Sequence, residues 1–258
     1  MTCLTNRMGS KGRLLPLLAE QFPRFNCFID LFFGGGSVTY FVLNNYKNAK
    51  IIANDLDSEI SNLFLQMQNN GDALIEAIET TPYHEDIFKF WVKDKTEVSD
   101  FERAVRYWYL VNYSYMGKMD TLQYVTQFNL DAKRRKLHDF FKVINQIMFM
   151  NFDYKKALKN IKFLNIDTTF IYADPPYLNT SSYTNEWTEK DAKELIKSLL
   201  KTGCKFMVSE FDNEFYKELA LKYNLNYIKL KTRCDGLNQG TEKTEIIVTN
   251  YNINLKLF

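Results

Sequence analysis

Short apolar runs separated by amphipathic stretches extend along most of the 258-residue chain. Runs rich in Ile, Phe, Val and Tyr predict buried strands, at 27–31, 50–53, 148–152, 169–173, 204–209, 226–230 and 245–250. Apolar positions at helical spacing predict helices from about residue 37, after residue 57, and over 154–160, 188–202 and 212–222. Strands that alternate with helices predict an α/β fold with a sheet layered by helices. The last two strands have no helix between them, which predicts an antiparallel hairpin at the C-terminal end of the sheet.

Residues 80–146 interrupt this alternation with a stretch rich in aromatic and basic side chains. Much of the stretch has a helical pattern, and it lies between the second and third predicted strands. The sequence therefore predicts a main domain formed by 1–79 and 147–258, with a mostly helical subdomain inserted at 80–146. Most of the aromatic residues in this insertion suit a small core of its own.

The composition is that of an ordinary globular protein, with 46% hydrophobic and 25% charged residues, which excludes a disordered chain. No apolar run reaches about 18 residues, so no transmembrane helix and no membrane contact are expected. The first residues contain no apolar signal core, and we expect a cytoplasmic protein. Four cysteines without a Cys-x-x-Cys pair and two histidines favour neither a disulfide framework nor a structural zinc site, and no metal is expected.

Charge is distributed unevenly along the chain, although the formal net charge is only +2. Residues 51–80 carry six acidic residues and no Lys or Arg, whereas residues 118–142 carry six basic residues against three acidic ones. Such segregation allows a polyanion to approach one face of the protein. A solvated helix face explains the basic run at 133–136 equally well.

A glycine-rich loop follows the first predicted strand, in the segment Phe32-Phe-Gly-Gly-Gly-Ser37. Glycines let a backbone pass close to a ligand, and the helix N-terminus behind them offers free N–H groups. This arrangement suits a nucleotide-like cofactor, although a tight structural turn has the same pattern. Asp55 ends the second strand about 20 residues later, where a carboxylate can accept both hydroxyls of a ribose. Asp57 suits the N-cap of the following helix.

The tetrapeptide Asp174-Pro175-Pro176-Tyr177 directly follows the predicted strand Thr-Phe-Ile-Tyr-Ala at 169–173. Two prolines fix the backbone and have no N–H, so the turn presents only acceptors beside an aromatic ring. Such a turn can accept both hydrogens of an exocyclic amine while Tyr177 stacks on the ring that carries it. A rigid loop that merely ends the strand is the alternative.

The glycine loop, Asn54-Asp55-Leu56-Asp57 and Asp174-Pro175-Pro176-Tyr177 together resemble the adenine-N6 DNA methyltransferases that use S-adenosyl-L-methionine (AdoMet), and the Dam type of enterobacteria and T-even phages in particular. The resemblance covers nearly the whole chain and includes Gly9-Ser10-Lys11, Trp187 and Gly240-Thr241-Glu242. It implies a Rossmann-like class I methyltransferase sheet. The motif order implies the class whose target-recognition domain lies between the cofactor and catalytic motifs, which is where 80–146 falls.

The resemblance also implies roles for individual residues. The implied cofactor contacts are Lys11, Asp30, Phe32, Gly34, Gly35, Gly36, Asp55, Leu56, Asp153, Tyr154 and Asp174. Among these, Lys11 would hold the carboxylate of AdoMet, Asp55 the ribose, and Asp153 would lie near the adenine. The implied catalytic residues are Asp174, Pro175, Pro176 and Tyr177, with Asp174 and the Pro175 carbonyl orienting the amine of a flipped adenine.

Contacts to DNA, expected to be duplex, are implied for a further set: Arg7, Arg13, Tyr113, Tyr115, Lys118, Gln123, Gln127, Asn129, Lys133, Arg134, Arg135 and Lys136. Tyr113 or Tyr115 can wedge into the duplex where the adenine leaves, and both suit a core position equally well. Arginine is the commonest reader of guanine, and none occurs between Arg106 and Arg134. Specificity for GATC, like the oligomeric state, is therefore left open.

Three other functions fit parts of the same pattern. A methyltransferase for RNA or another planar amine can use the same turn, and exocyclic cytosine methylation uses the same chemistry. An inert AdoMet-binding or DNA-binding regulator can have the same fold. The intact Asp55, Asp174 and Tyr177 favour an enzyme, in the cytoplasm of a bacterium or of a phage-infected cell.

Overall fold

A computed structural model describes residues 3–5, 11, 14–94, 96–124, 126–161, 165–178, 187–230 and 244–252. Arg7, Arg13 and the motif residues Gly9, Ser10 and 240–242 lie outside these ranges. The chain divides into two compact units, the first formed by Met1–Gly12 and Phe33–Asn151, the second by Arg13–Phe32 and Phe152–Phe258.

The described part of the chain contains seven strands and nine α-helices. The strands are β1 (Cys27–Asp30), β2 (Lys50–Asn54), β3 (Ile147–Met150), β4 (Thr169–Ala173), β5 (Lys205–Phe211), β6 (Asn226–Leu230) and β7 (Glu245–Thr249). The helices are α1 (Leu15–Ala19), α2 (Ser37–Asn45), α3 (Ser58–Thr80), α4 (Glu85–Lys93), α5 (Asp100–Tyr113), α6 (Gln127–Phe141), α7 (Tyr154–Asn160), α8 (Glu189–Thr202) and α9 (Glu214–Lys222). The predicted α/β class is confirmed, and every predicted strand is present.

In the second unit, five strands lie in the order β1-β4-β5-β7-β6. β1, β4 and β5 are parallel, whereas β7 is antiparallel to both of its neighbours. The predicted antiparallel hairpin is therefore confirmed. β1 and β4 are buried along their whole length, and Phe28 and Phe170 pack side by side across the pair, with ring centroids 5.7 Å apart.

In the first unit, β2 and β3 form a parallel pair, and the long helix α3 packs against α5. Phe33, Phe64 and Phe149 form an aromatic core here, with the rings of Phe64 and Phe149 stacked at 4.3 Å. The 80–146 stretch is mostly helical, as predicted, and contributes α4, α5 and α6. Its separate status as a recognition subdomain remains a prediction.

Polar side chains fix where the helices begin. Ser99 caps α5 by accepting the N–H of Glu102 at 3.2 Å. Thr188 caps α8 in a reciprocal arrangement with Asp191, a capping box that satisfies two backbone donors. Such caps stabilise a helix by typically about 1 kcal/mol each, and they place the loops before these helices reproducibly.

Candidate active site

The glycine loop is tightly packed at two of its three glycines. Gly36 has φ +74°, and a Cβ there would lie 2.4 Å from the ring of Phe33. A Cβ on Gly35 would lie 2.9 Å from the carbonyl oxygen of Thr5. Gly34 differs, because no atom of the described residues lies within 4 Å of the position of a Cβ on it. Only glycine fits at 36 without strain, and the described residues leave the Cβ side of Gly34 uncovered.

Asp55, at the end of β2, holds this loop in place. Its Oδ2 accepts the N–H of Gly34 at 2.7 Å, and its Oδ1 accepts the N–H of Asp57 at 2.9 Å. Asp57 in turn accepts the N–H of Glu59 at 2.9 Å and is the N-cap of α3, as predicted. A carboxylate offers about four acceptor positions, so these backbone contacts do not exclude a ribose hydroxyl as a further donor.

Asn151, which the sequence reasoning did not single out as a site residue, braces the chain after Asp55. Its amide donates to the carbonyl oxygens of Asp55 at 2.8 Å and of Leu56 at 3.2 Å. The side chain of Leu56 is 65% exposed. Lys11, by contrast, is buried, and a buried lysine is almost always paired; its role in binding AdoMet stays a prediction.

The second unit contains an aromatic cluster made of Phe32, Tyr154 and Trp187. The ring centroids lie 5.9 Å apart for Phe32 and Tyr154, 5.9 Å for Phe32 and Trp187, and 6.0 Å for Tyr154 and Trp187. Burial raises the pKa of Tyr154 to about 12, so its hydroxyl stays neutral at physiological pH. Three rings in contact suit the flat face of a purine.

Two predicted acidic residues of this unit differ in exposure. Asp30, at the end of β1, is 1% exposed. Asp153 is exposed and caps α7 by accepting the N–H of Lys155 at 2.9 Å. The carboxylate of Asp153 therefore has a structural role as a helix cap, in addition to the role near an adenine that is predicted for it.

The turn after β4 carries Asp174, whose position is fixed from the neighbouring strand. The hydroxyl of Ser209 on β5 donates to Asp174 Oδ1 at 2.9 Å. The same hydroxyl lies 2.9 Å from the hydroxyl of Tyr172, a fully buried residue of β4. Burial and then the charge of Asp174 hold the pKa of Tyr172 well above its usual value. A serine and a neutral tyrosine thus form a hydrogen-bonded chain behind the carboxylate.

Side chains of β5 and β7 hold Tyr177 and Leu178 in place. The hydroxyl of Tyr177 donates to Glu245 Oε2 at 2.7 Å, and its ring meets that of Phe211 edge to face at 4.4 Å. The N–H of Leu178 donates to Glu210 Oε2 at 3.1 Å. Burial raises the pKa of Glu210 to about 7, with smaller contributions from the charges of Asp174 and Glu245.

Sequence reasoning found the turn but missed the side chains that hold it. Ser209, Glu210 and Glu245 lie in strands far along the chain from residues 174–177, and no local motif marks them. Ser209 and Glu210 directly follow the apolar residues 206–208, at the end of the predicted strand 204–209 and just after it. Polar residues directly after such a run are the signal that could have identified them.

The residues predicted to contact DNA differ in exposure. Tyr113 is fully buried, with its ring edge to face against Tyr83, Trp108 and Tyr109. Of the two positions left open for it, the core position is the one observed. Tyr115 is 57% exposed in a turn whose neighbour Met116 has φ 54°.

Helix α6 and the turn before it carry most of the other predicted DNA contacts. Lys118, Gln127, Asn129 and Arg135 are exposed, whereas Gln123, Lys133, Arg134 and Lys136 are half-buried. The guanidinium of Arg135 lies 5.9 Å from the ring centre of Phe128, which is 71% exposed. Arg134 donates to the carbonyl of Glu79 at 3.1 Å. Burial lowers the pKa of Lys133, with a smaller effect from Lys136.

None of the helices described here has the length and apolarity needed to cross a membrane.

Comparison with known proteins identifies the family of this chain. The family model for D12 class N6 adenine-specific DNA methyltransferases matches residues 8–234. Type II methyltransferase M1.LlaDCHI of Lactococcus lactis subsp. cremoris is 28% identical, over 96% of this chain and 94% of the relative. Type II methyltransferase M.MjaIII of Methanocaldococcus jannaschii is 25% identical, over 94% and 96%. The DNA adenine methylase of Escherichia coli (strain K12) is 25% identical, over 91% and 89%.

Among solved structures, an rRNA methylase from Streptococcus thermophilus is similar with a TM-score of 0.36 and 11% identity, over 90% of this chain and 92% of that one. That likeness is too low to carry an argument about activity. The family model, in contrast, spans most of the chain, including the glycine loop, Asp55 and the turn at 174–177. The chain belongs to the D12 class of N6 adenine-specific DNA methyltransferases.

Proposed function

We propose that the protein binds AdoMet with the glycine loop, Asp55 and the aromatic cluster, and transfers its methyl group to the N6 amine of an adenine flipped out of duplex DNA. The family assignment gives the reaction class. The observation that carries the residue assignment is the hydrogen bond from Ser209 to Asp174 at 2.9 Å. It fixes one carboxylate at the end of a parallel strand, which is where α/β folds bind their ligands.

The residues present fit AdoMet. The open flank of Gly34, beside the carboxylate of Asp55, suits a ligand that offers hydroxyl donors. The cluster of Phe32, Tyr154 and Trp187 offers apolar faces for a purine. We also assign the remaining predicted residues to contacts with AdoMet: Lys11, Asp30, Gly35, Gly36, Leu56, Asp153 and Asp174. When bound, AdoMet supplies a methyl group on a sulfonium, a leaving group good enough that the enzyme needs no covalent intermediate.

The residues of the turn then position the flipped adenine and stabilise the charge that develops on its amine. Asp174 and the carbonyl of Pro175 accept the two hydrogens of the amine, and this contact strengthens as positive charge develops on the nitrogen. Tyr177 stacks on the flipped base, and Pro176 keeps the turn rigid. Holding amine and methyl group in line supplies the larger part of the rate enhancement expected for such a reaction.

Most of the DNA contacts are assigned to the insertion. Tyr115 and Lys118, in the turn after α5, are exposed enough to reach base edges, and Gln123, Gln127 and Asn129 carry amides that can read adenine. Lys133, Arg134, Arg135 and Lys136, together with Arg7 and Arg13, are assigned to phosphates, which position the duplex without specifying sequence. An enzyme that methylates cellular DNA must reach that DNA, so we place the protein in the cytoplasm of a bacterial or phage-infected cell.

Transfer of labelled methyl from AdoMet to duplex DNA, single-stranded DNA and RNA in parallel tests this proposal. We expect label on duplex DNA, at the N6 of adenine, and mapping of the modified positions gives the recognition sequence. Asp174→Ala should transfer nothing, whereas the exposed Asp72→Asn should behave as wild type. Label on RNA alone would show an RNA methyltransferase. AdoMet binding without transfer to any substrate would show an inert regulator.

A further inference from the structure

Three side chains on β5 and β7 hold successive parts of the turn at 174–178. Ser209 donates to Asp174, Glu245 accepts the hydroxyl of Tyr177, and Glu210 accepts the N–H of Leu178. We propose that Glu210 and Glu245 are positioning residues for methyl transfer, which act by fixing the backbone after Tyr177 and the plane of the Tyr177 ring. This inference rests on the proposed function of that turn.

Glu245 fixes the ring of Tyr177 together with Phe211. Glu245 and Phe211 are direct partners in the antiparallel ladder between β5 and β7. One accepts the hydroxyl at 2.7 Å, and the other meets the ring at 4.4 Å with an interplanar angle of 82°. A hydrogen bond at one end of the ring and an edge-to-face contact along it leave the ring one orientation. Burial holds the pKa of Tyr177 well above its usual value, so the hydroxyl remains a donor.

Glu210 acts at a distance from any substrate, because its side chain has no solvent exposure. Its Oε2 accepts the N–H of Leu178 at 3.1 Å, and its Oε1 accepts the N–H of Phe211 at 2.8 Å. It therefore connects the residue after the turn with the last residue of β5. An ionised carboxylate only accepts hydrogen bonds, so the charged form suits both of these donors.

The surroundings of Glu210 oppose that charge. Two carboxylates lie near it, Asp174 on the turn and Glu245 on β7, together with the neutral hydroxyl of Tyr216 on α9. Burial and these neighbours raise the pKa of Glu210 to about 7. Protonation places a hydrogen on one of the two oxygens and weakens its hold on an N–H.

The hold of Glu210 on the turn should therefore tighten as the pH rises through neutrality. In single-turnover methyl transfer, the wild-type rate should rise with pH, reach half of its maximum near pH 7, where Glu210 is half ionised, and level off above about pH 8. Glu210→Gln keeps the shape but replaces one acceptor with a donor, so it should stay slow at every pH, by a factor on the order of ten at alkaline pH. Its AdoMet affinity should stay within about twofold of wild type. The exposed Glu218→Gln, on α9, is the matched control and should keep the wild-type profile.

Glu245 is tested through its partner. Glu245→Ala and Tyr177→Phe each remove the same hydrogen bond, so their effects on the single-turnover rate should not add when combined. Glu245→Gln keeps an acceptor for the hydroxyl and should restore most of the rate lost in Glu245→Ala. Additive losses, or no rescue by glutamine, would refute the positioning role of Glu245.

Hydrogen exchange separates this inference from the proposed function, because it needs no substrate. The amides of Leu178 and Phe211 should exchange faster in Glu210→Gln than in wild type and Glu218→Gln. Unchanged exchange, or a Glu210→Gln variant with wild-type rate and pH profile, overturns the inference even if the wild type methylates DNA. A wild type that transfers no methyl to adenine refutes the proposed function instead, and faster amide exchange would then still support the hold on the turn.

Discussion

The hydroxyl of Ser209 lies between Asp174 and Tyr172, 2.9 Å from each, and so connects a carboxylate on a turn to a tyrosine buried inside the sheet. A donor of this kind fixes the orientation of a carboxylate that must accept hydrogens from a substrate amine. One hydrogen bond joins the adjacent parallel strands β4 and β5, and the other joins β5 to the turn that follows β4.

Ser209→Ala should lower the rate of methyl transfer without removing it. A hydrogen bond to a charged group contributes about 1.5–3 kcal/mol, which corresponds to a loss of roughly ten- to a hundredfold. Binding of AdoMet should change little. Steady-state kinetics with the control Ser198→Ala, on α8, checks this, and equal rates for both variants would contradict it.

Asp174→Ala should abolish transfer and leave AdoMet binding largely intact. The reason is that the carboxylate accepts hydrogens from the amine and stabilises the charge that develops on it. Equilibrium binding of AdoMet together with transfer to duplex DNA measures both properties. Normal turnover by this variant would remove Asp174 from the mechanism.

Asp55→Ala should mainly raise the dissociation constant of AdoMet. It removes the acceptor assigned to the ribose and also releases the N–H of Gly34. Asp57→Ala is the matched control, because it removes a helix cap and should cost about 1 kcal/mol of stability with little effect on the dissociation constant. Calorimetric titration distinguishes the two, and equal affinities would rule out the ribose assignment.

Stability should fall as the pH rises from about 4.5 to about 7, in part because of Glu210. Its folded-state pKa of about 7 lies above the ordinary value of 4.5, so in this window the folded state binds more protons than the unfolded state. Ionising the buried group above that window costs roughly 3 kcal/mol. Glu210→Gln should make this slope shallower in urea unfolding at a series of pH values. An unchanged slope would mean that Glu210 ionises normally in the folded protein.

Binding to duplex DNA should weaken steeply with salt. Replacement of Arg135, which is exposed on α6, by alanine should reduce the slope of log affinity against log salt by about one. Lys47→Ala, an exposed lysine after α2, should leave the slope unchanged. Binding measured by fluorescence anisotropy from low to high salt checks this, and equal slopes for all three proteins would place the DNA elsewhere.

The sequence predicted the fold well because its signals are local. The strand at 169–173 matches β4 at both ends, and the helix at 154–160 matches α7. Asp57 was identified as a cap from its position alone. The side chains that fix the active site could not be found in this way, since Glu245 meets Tyr177 across 68 positions of the chain. Tyr113 shows a second limit, because an aromatic residue in an aromatic-rich helical stretch has the same local pattern in a core as on a DNA-binding surface.

The position of β7 between β5 and β6 has a consequence for synthesis of the protein on the ribosome. β6 precedes β7 in the chain, yet among the described strands it pairs only with β7. The nascent sheet therefore ends at β5 until residues 245–249 emerge, and the acceptor for Tyr177 emerges with them. We expect a partly synthesised chain to leave β6 unpaired and the ring of Tyr177 unfixed. Methylation competence would then arise only after residues 245–249 have left the exit tunnel.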